Sequence, residues 1–95
     1  MLRFEWDPNK DEINRRKHLL GFETAMLVFD DPNCLTFVEW VEDGERRWHA
    51  VGALGGRVLV TVVHTYRVEG IIETVRIISA RRSDRKERDA YVESL

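Results

Sequence analysis

The sequence predicts an α+β domain in the order β-α-α-β-β-β-β-α, an antiparallel sheet meander with helices packed on it. Three observations carry this reading. Phe22, Ala25, Met26 and Phe29 recur at helical spacings of three and four. From Cys34 to Ser79 the apolar period becomes two, broken at glycine-containing turns. After Ser83 a charged helical stretch closes the chain. With 95 residues, 43% of them hydrophobic, the chain can bury one modest core, so residues 1–95 are expected to form a single domain.

Phe4 and Trp6 alternate with Arg3, Glu5 and Asp7, which marks the first strand. Asp7-Pro8 supplies an N-cap and a proline at the first helical position, where its missing N–H costs nothing. The first helix should run from Pro8 to Leu20. Its acids (Asp11, Glu12) come early and its bases (Arg15, Arg16, Lys17, His18) late, as the macrodipole favours. Gly21 is the expected left-handed residue after it. A second helix, Phe22 to Phe29, ends at Asp30-Asp31-Pro32-Asn33. Strands then follow over Cys34 to Val41, Glu45 to Gly52, Arg57 to Tyr66 and Ile71 to Ser79. Turns separate them at Glu42-Asp43-Gly44, Leu54-Gly55-Gly56 and Arg67 to Gly70. The third of these strands is β-branched and apolar on both faces, so it belongs in the middle of the sheet. Ser83 is the expected N-cap of the last helix.

Composition narrows the chemistry. The single cysteine, Cys34, excludes an intramolecular disulfide and any cysteine-based metal cluster, and reads as a small buried hydrophobe. The three histidines are scattered without metal-ligand spacing, so neither metal nor cofactor is expected. Gly55-Gly56 lacks a following Lys-Ser/Thr and is a turn rather than a phosphate loop. The start of the chain has no signal-peptide core and no segment is long enough to span a bilayer, so a cytoplasmic protein without membrane contact is expected.

The net charge is -2, yet Arg76, Arg81, Arg82, Arg85, Lys86 and Arg88 crowd one short window. A basic cluster on an acidic chain is a local field suited to phosphate. The bland account of Arg85 and Arg88 is a solvated helix with i,i+4 pairs worth a few tenths of a kcal/mol each. Arg81 and Arg82 stand at the junction of strand and helix, where side chains can be held toward a cleft. His64 shares a strand face with Val58, Val60 and Val62, and is either a hydrogen-bonded core residue or an imidazole for proton transfer. Arg67 follows three residues later and can clamp phosphate bidentately. Glu45, Arg47 and His49 alternate along one face, as a cross-strand salt bridge or as a base oriented by cations. Together these residues suggest chemistry on a phosphodiester.

Phe4-Glu5-Trp6-Asp7-Pro8-Asn9-Lys10, Asn14-Arg15-Arg16-Lys17-His18-Leu19-Leu20-Gly21-Phe22-Glu23, Val28-Phe29-Asp30-Asp31-Pro32 and Arg76-Ile77-Ile78-Ser79-Ala80-Arg81 together resemble the BrnT family of toxins from type II toxin–antitoxin systems. The likeness runs through essentially the whole chain in the same order. It implies a RelE-like ribonuclease fold, metal-independent RNA cleavage that arrests translation, and neutralisation by a BrnA-type antitoxin with a ribbon-helix-helix DNA-binding domain. The family's functional arginines correspond to Arg67 and Arg81, and its acidic residue to Glu45. Many members carry an acid just before the first arginine, where this chain has Tyr66.

On that resemblance, RNA would be cut by its own 2′-OH, with Glu45 as base, Arg67 and Arg81 stabilising the phosphorane and His64 as acid. Lys17, Arg47, Arg82 and Arg85 would hold or steer the RNA backbone. Two toxins are expected to pair with two antitoxins, and operator DNA to be met only through the antitoxin. Two alternatives from other classes stand beside this reading. One is a non-catalytic nucleic-acid-binding module, the other an inert partner that acts only through its antitoxin.

Overall fold

Strand pairing, more than helix packing, organises this chain. The computed structural model describes residues 1–95, with every side chain except that at position 39. Five strands form one sheet: β1 (Leu2–Trp6), β2 (Leu35–Glu42), β3 (Glu45–Leu54), β4 (Val58–Glu69) and β5 (Ile72–Arg82), in the spatial order β1-β5-β4-β3-β2. From β2 to β5 it is an antiparallel meander. At two of the hairpin turns the paired residues Asp43-Gly44 and Gly55-Gly56 have positive φ, which matches the right-handed twist of the flanking strands. β1 departs from the wholly antiparallel expectation and lies parallel to β5, from Leu2 opposite Glu73 to Trp6 opposite Ile77. No hairpin joins β1 to the rest. Its link is helical and crosses the sheet, and such a crossover is what parallel pairing requires.

α1 (Pro8–His18) begins as the Asp7-Pro8 pair predicts, with Asp7 accepting the Asn9 N–H at 2.8 Å. It ends two residues before the expected Leu20. Leu19, not Gly21, adopts the left-handed conformation (φ 56°), and its N–H closes on the Arg15 carbonyl at 2.9 Å. Gly21 is extended and opens α2 (Phe22–Ala25), which tightens into a 3₁₀ turn over Met26–Asp30 instead of continuing as one helix. Val28 on that turn presses against β3 so closely that a Cβ on Gly52 would lie 2.8 Å from its Cγ1. Phe22, Ala25 and Val28 pack with Ala50, Val60, Val62, Val75, Ile77 and Ala80, all buried. Each of the larger side chains contributes about 2 kcal/mol by leaving water.

Past Ile77, β5 has lost its β1 neighbour, and α1 supplies a substitute. The buried Asn14 carboxamide accepts the Ala80 N–H at 3.1 Å and donates to the Ala80 and Leu20 carbonyls, both at 2.8 Å. It pairs the exposed strand edge as another strand would.

β4 and β5 are longer than expected. β4 runs on to Glu69, so Arg67 lies within a paired strand, opposite Thr74, and not in a turn. β5 runs on to Arg82, which draws Ser83 into the sheet. Its N–H bonds the Leu59 carbonyl at 2.9 Å and its hydroxyl meets that of Thr61 at 2.7 Å. The N-cap of α3 (Arg85–Glu93) is therefore Asp84, in a reciprocal box with Glu87 whose two bonds are each 2.8 Å. α1, α2 and the 3₁₀ turn cover one face of the sheet. α3 lies over part of the other, with the side chain of Thr61 beneath its beginning, and leaves the remainder open. Among the described residues no helix is long and apolar enough to cross a membrane.

Candidate active site

Strand alternation decides which side chains share the open face. Phe37 and Trp40 come from β2, Arg47 and His49 from β3, Val63, Thr65 and Arg67 from β4, and Arg76 and Arg81 from β5. Trp40 keeps to this side because the pairing of β2 with β3 shifts between Val38 and Trp40. Two groups form on the face.

The first lies under the start of α3. Glu87 is buried and receives Arg81 through both terminal nitrogens, Nη1 to Oε1 at 2.7 Å and Nη2 to Oε2 at 2.9 Å. Burial would raise the Glu87 carboxyl. Arg81, the Asp84 N–H and the Thr61 hydroxyl overcome that and hold it at about 2. On its other side, Oε2 lies 3.5 Å from Nδ1 of His49, too long for a good hydrogen bond. His49 is 6% exposed, and neither ring nitrogen has a hydrogen-bond partner among the described residues. Phe37 and Trp40 enclose the imidazole, with ring centroids 5.4 Å and 5.6 Å away. Phe37 also forms one wall of a cleft of about 350 Å³ whose other side is α3, through Asp84, Lys86, Glu87 and Ala90.

The second group is at the opposite end. Arg67 donates to Glu69 at 2.9 Å and to Glu5 at 3.0 Å, and Glu5 also accepts from Arg76 at 3.0 Å. The two guanidinia hold the Glu5 carboxyl below its ordinary range. Tyr66, where an acid was the family expectation, donates its hydroxyl to Glu73 on the other face.

The structure brings together only part of what the sequence singled out. Arg47, Arg67 and Arg81 share the open face, but Arg81 pairs with Thr61, roughly 20 Å along β4 from Arg67 at roughly 3.3 Å per residue. One phosphate cannot bridge them. Glu45 stands at the β2–β3 hairpin end, 58% exposed and 3.7 Å from Arg47, far from Arg81. His64 points to the helix-covered side. Phe29 meets it edge-on at 5.0 Å, its Nδ1 lies 3.2 Å from the Val62 carbonyl, and burial lowers its pKa. It lines a separate cavity of about 350 Å³ with Phe29, Trp48 and Val75. An acid for chemistry beside Arg81 cannot come from there. Arg82, one residue beyond Arg81, is turned to the opposite side of β5. Lys17 projects from α1 beside Ile78 and Ser79, and Arg85 is solvated next to Asp89 at 4.0 Å.

In the sequence His49 stands out only as the third member of the Glu45, Arg47, His49 alternation, and Glu87 not at all. The signal for Glu87 is Asp84-Arg85-Lys86-Glu87, a capping-box spacing that an N-cap at Ser83 conceals. Cys34 offers no nucleophile, since burial and the nearby Asp31 push its thiol up to about 11. Among the described residues no three His, Cys, Asp or Glu side chains gather as metal ligands.

Residues 6–87 match the family described as ribonuclease toxin, BrnT, of type II toxin–antitoxin system. The crystal structure of the Brucella abortus ribonuclease toxin, BrnT, is similar in fold, with a TM-score of 0.68 at 22% identity. The alignment covers 90% of this chain and 100% of that one. No curated protein sequence matches the chain.

Proposed function

The chain belongs to the BrnT family, the ribonuclease toxins of type II toxin–antitoxin systems, and from that premise we propose that it cuts single-stranded RNA on the open face of its sheet without a metal ion. The observation that carries this reading is the composition of that face. Arg47, Arg67, Arg76 and Arg81 lie there with Phe37 and Trp40. Guanidinia recognise phosphate oxygens in pairs, and aromatic rings stack unpaired bases without regard to sequence. A strand of RNA laid from Arg67 to Arg81 would cover several nucleotides.

The reaction is attack of the ribose 2′-oxygen on the adjacent phosphorus, with release of the 5′-oxygen and formation of a 2′,3′-cyclic phosphate. Within it, Arg81 would balance charge at the α3 cleft, while Arg47, near the β2–β3 hairpin, and Arg67 would hold the backbone farther along. Glu45, from its exposed hairpin, and Lys17 serve approach and retention on this reading. The related fold reading is RelE-like and the compartment the cytoplasm. A type II system pairs the toxin with an antitoxin. We take that partner to be a BrnA-type ribbon-helix-helix protein, two copies with two toxins, which alone contacts operator DNA.

The test is incubation of the purified protein with a labelled single-stranded RNA in EDTA. Fragments ending in a cyclic phosphate are expected, and a 2′-O-methyl group at the cut position should block them. A salt-dependent mobility shift with no fragments would make this a binding module instead. Cleavage abolished by EDTA would overturn metal independence.

A further inference from the structure

We propose that His49 is the proton-transfer group of this site and that Glu87, itself fixed by Arg81, is its positioning residue. The inference rests on the ribonuclease reading above. Placing a polar ring out of water with both nitrogens unpaired is costly, and native proteins seldom tolerate it without a role for the group. His49 is such a ring, 6% exposed, with no hydrogen-bond partner among the described residues for either nitrogen. It is also the imidazole that shares a sheet face with Arg47 and Arg81.

The surroundings select one geometry. Oε2 of Glu87 stands 3.5 Å from Nδ1, so a small closure would make Nδ1–H a donor to the carboxylate. The carboxylate cannot swing away, because Arg81 holds both its oxygens and the Asp84 N–H holds one. With the proton fixed on Nδ1, Nε2 carries the lone pair. Among the described residues, the charged or titratable groups around the ring are Glu87 from α3 with Asp84 and Lys86 on the same cleft wall, Arg81 from β5, Arg47 two residues before His49 on its own strand, and His64 through the sheet from β4. Phe37 and Trp40 complete the enclosure. Trp40 is 42% exposed and belongs to an edge strand at the point where its pairing shifts, so it is the movable side of the enclosure. A base stacking on Trp40 as it turns outward would set a ribose beside Nε2.

In the step itself, Nε2 takes the 2′-OH proton as the 2′-oxygen bonds to phosphorus. The bond from phosphorus to the 5′-oxygen breaks, and the proton held by His49 returns through solvent water to that oxygen. The products are a 2′,3′-cyclic phosphate and a 5′-hydroxyl, with no net gain or loss of atoms.

The experiment compares wild-type protein with His49→Gln and Glu87→Gln in RNA cleavage, with binding of fully 2′-O-methylated RNA measured beside it. His49→Gln should lose about 10²–10⁴-fold in cleavage rate. It should bind the inert RNA within about threefold of wild type. In Glu87→Gln the rate at saturating RNA should fall with KM little changed, and ¹⁵N NMR should show the His49 ring losing its preference for the Nδ1–H tautomer. A purely structural role would leave the tautomer as it was. Wild-type protein labelled for NMR provides a readout that needs no variant, because inert RNA at saturation should shift the His49 ring resonances. His49→Gln that cleaves at the wild-type rate, or His49 resonances unmoved by bound RNA, overturns the proposal. Wild-type protein that binds RNA and never cuts it overturns the ribonuclease reading instead.

Discussion

Glu87→Gln should destabilise the protein by an amount that depends on pH. The native carboxyl sits at about 2 instead of its ordinary 4.5 because Arg81, the Asp84 N–H and the Thr61 hydroxyl outweigh its burial. At about 1.4 kcal/mol for each tenfold change in proton affinity, that difference corresponds to about 3 kcal/mol. Arg81 is 32% exposed, so water screens part of the attraction, and about 2 kcal/mol is the reasonable expectation. The folded-state pKa is lowered, so the contribution is complete above about 4.5 and disappears as pH falls toward about 2. Gln keeps the shape and can still accept the Asp84 N–H, which isolates the charge. Urea unfolding at pH 7, followed by circular dichroism, should place the variant's midpoint roughly 1–2 M below that of wild type, with the slope unchanged. Near pH 2.5 most of that gap should have closed. A gap that is the same at pH 7 and pH 2.5 would mean that the loss lies in packing or capping and not in the charge.

Asn14→Leu retains volume but strands the Ala80 N–H and the carbonyls of Ala80 and Leu20 at the β5 edge. We expect a loss of about 2–4 kcal/mol in chemical denaturation, and a loss under about 1 kcal/mol would mean that another group covers this edge. Arg67→Ala removes a guanidinium that lies roughly 20 Å from Arg81 along the sheet. RNA affinity should fall and the slope of log Kd against log salt should flatten by about 0.7, while the rate at saturating RNA stays within about threefold. A collapse of that saturated rate with binding intact would place Arg67 at the scissile phosphate.

Legibility followed the range of the interactions involved. The Asp7-Pro8 start of α1, the positive-φ turns at Asp43-Gly44 and Gly55-Gly56 and the central position of β4 all depend on neighbours close in sequence or on local hydrophobicity, and were readable there. Local pattern falls short where distant segments set the outcome. Ser83 has the chemistry of an N-cap, but the hydroxyl of Thr61, 22 residues away, claims its side chain, and the cap passes to Asp84. The parallel course of β1 depends on a crossover that no local pattern encodes.

The same distinction explains the candidate site. Alternation correctly places Arg47 and His49 on one side of β3, but alternation within a strand cannot say which side carries the helices. His64 and His49 look equivalent in the sequence, each an imidazole among apolar residues on a strand. The register sets Trp48 opposite His64 and Val63 opposite His49, so adjacent strands direct the two rings to opposite faces. Phe29 takes the first into the helix-covered side, and α3 brings Glu87 to the second. What separates a buried core histidine from a candidate catalyst here is therefore set by residues 14 to 38 positions removed from His49. Arg81 shows the same dependence. By sequence it is one of six crowded bases, and only its bidentate hold on Glu87 distinguishes it from Arg82, which the strand turns to the other face.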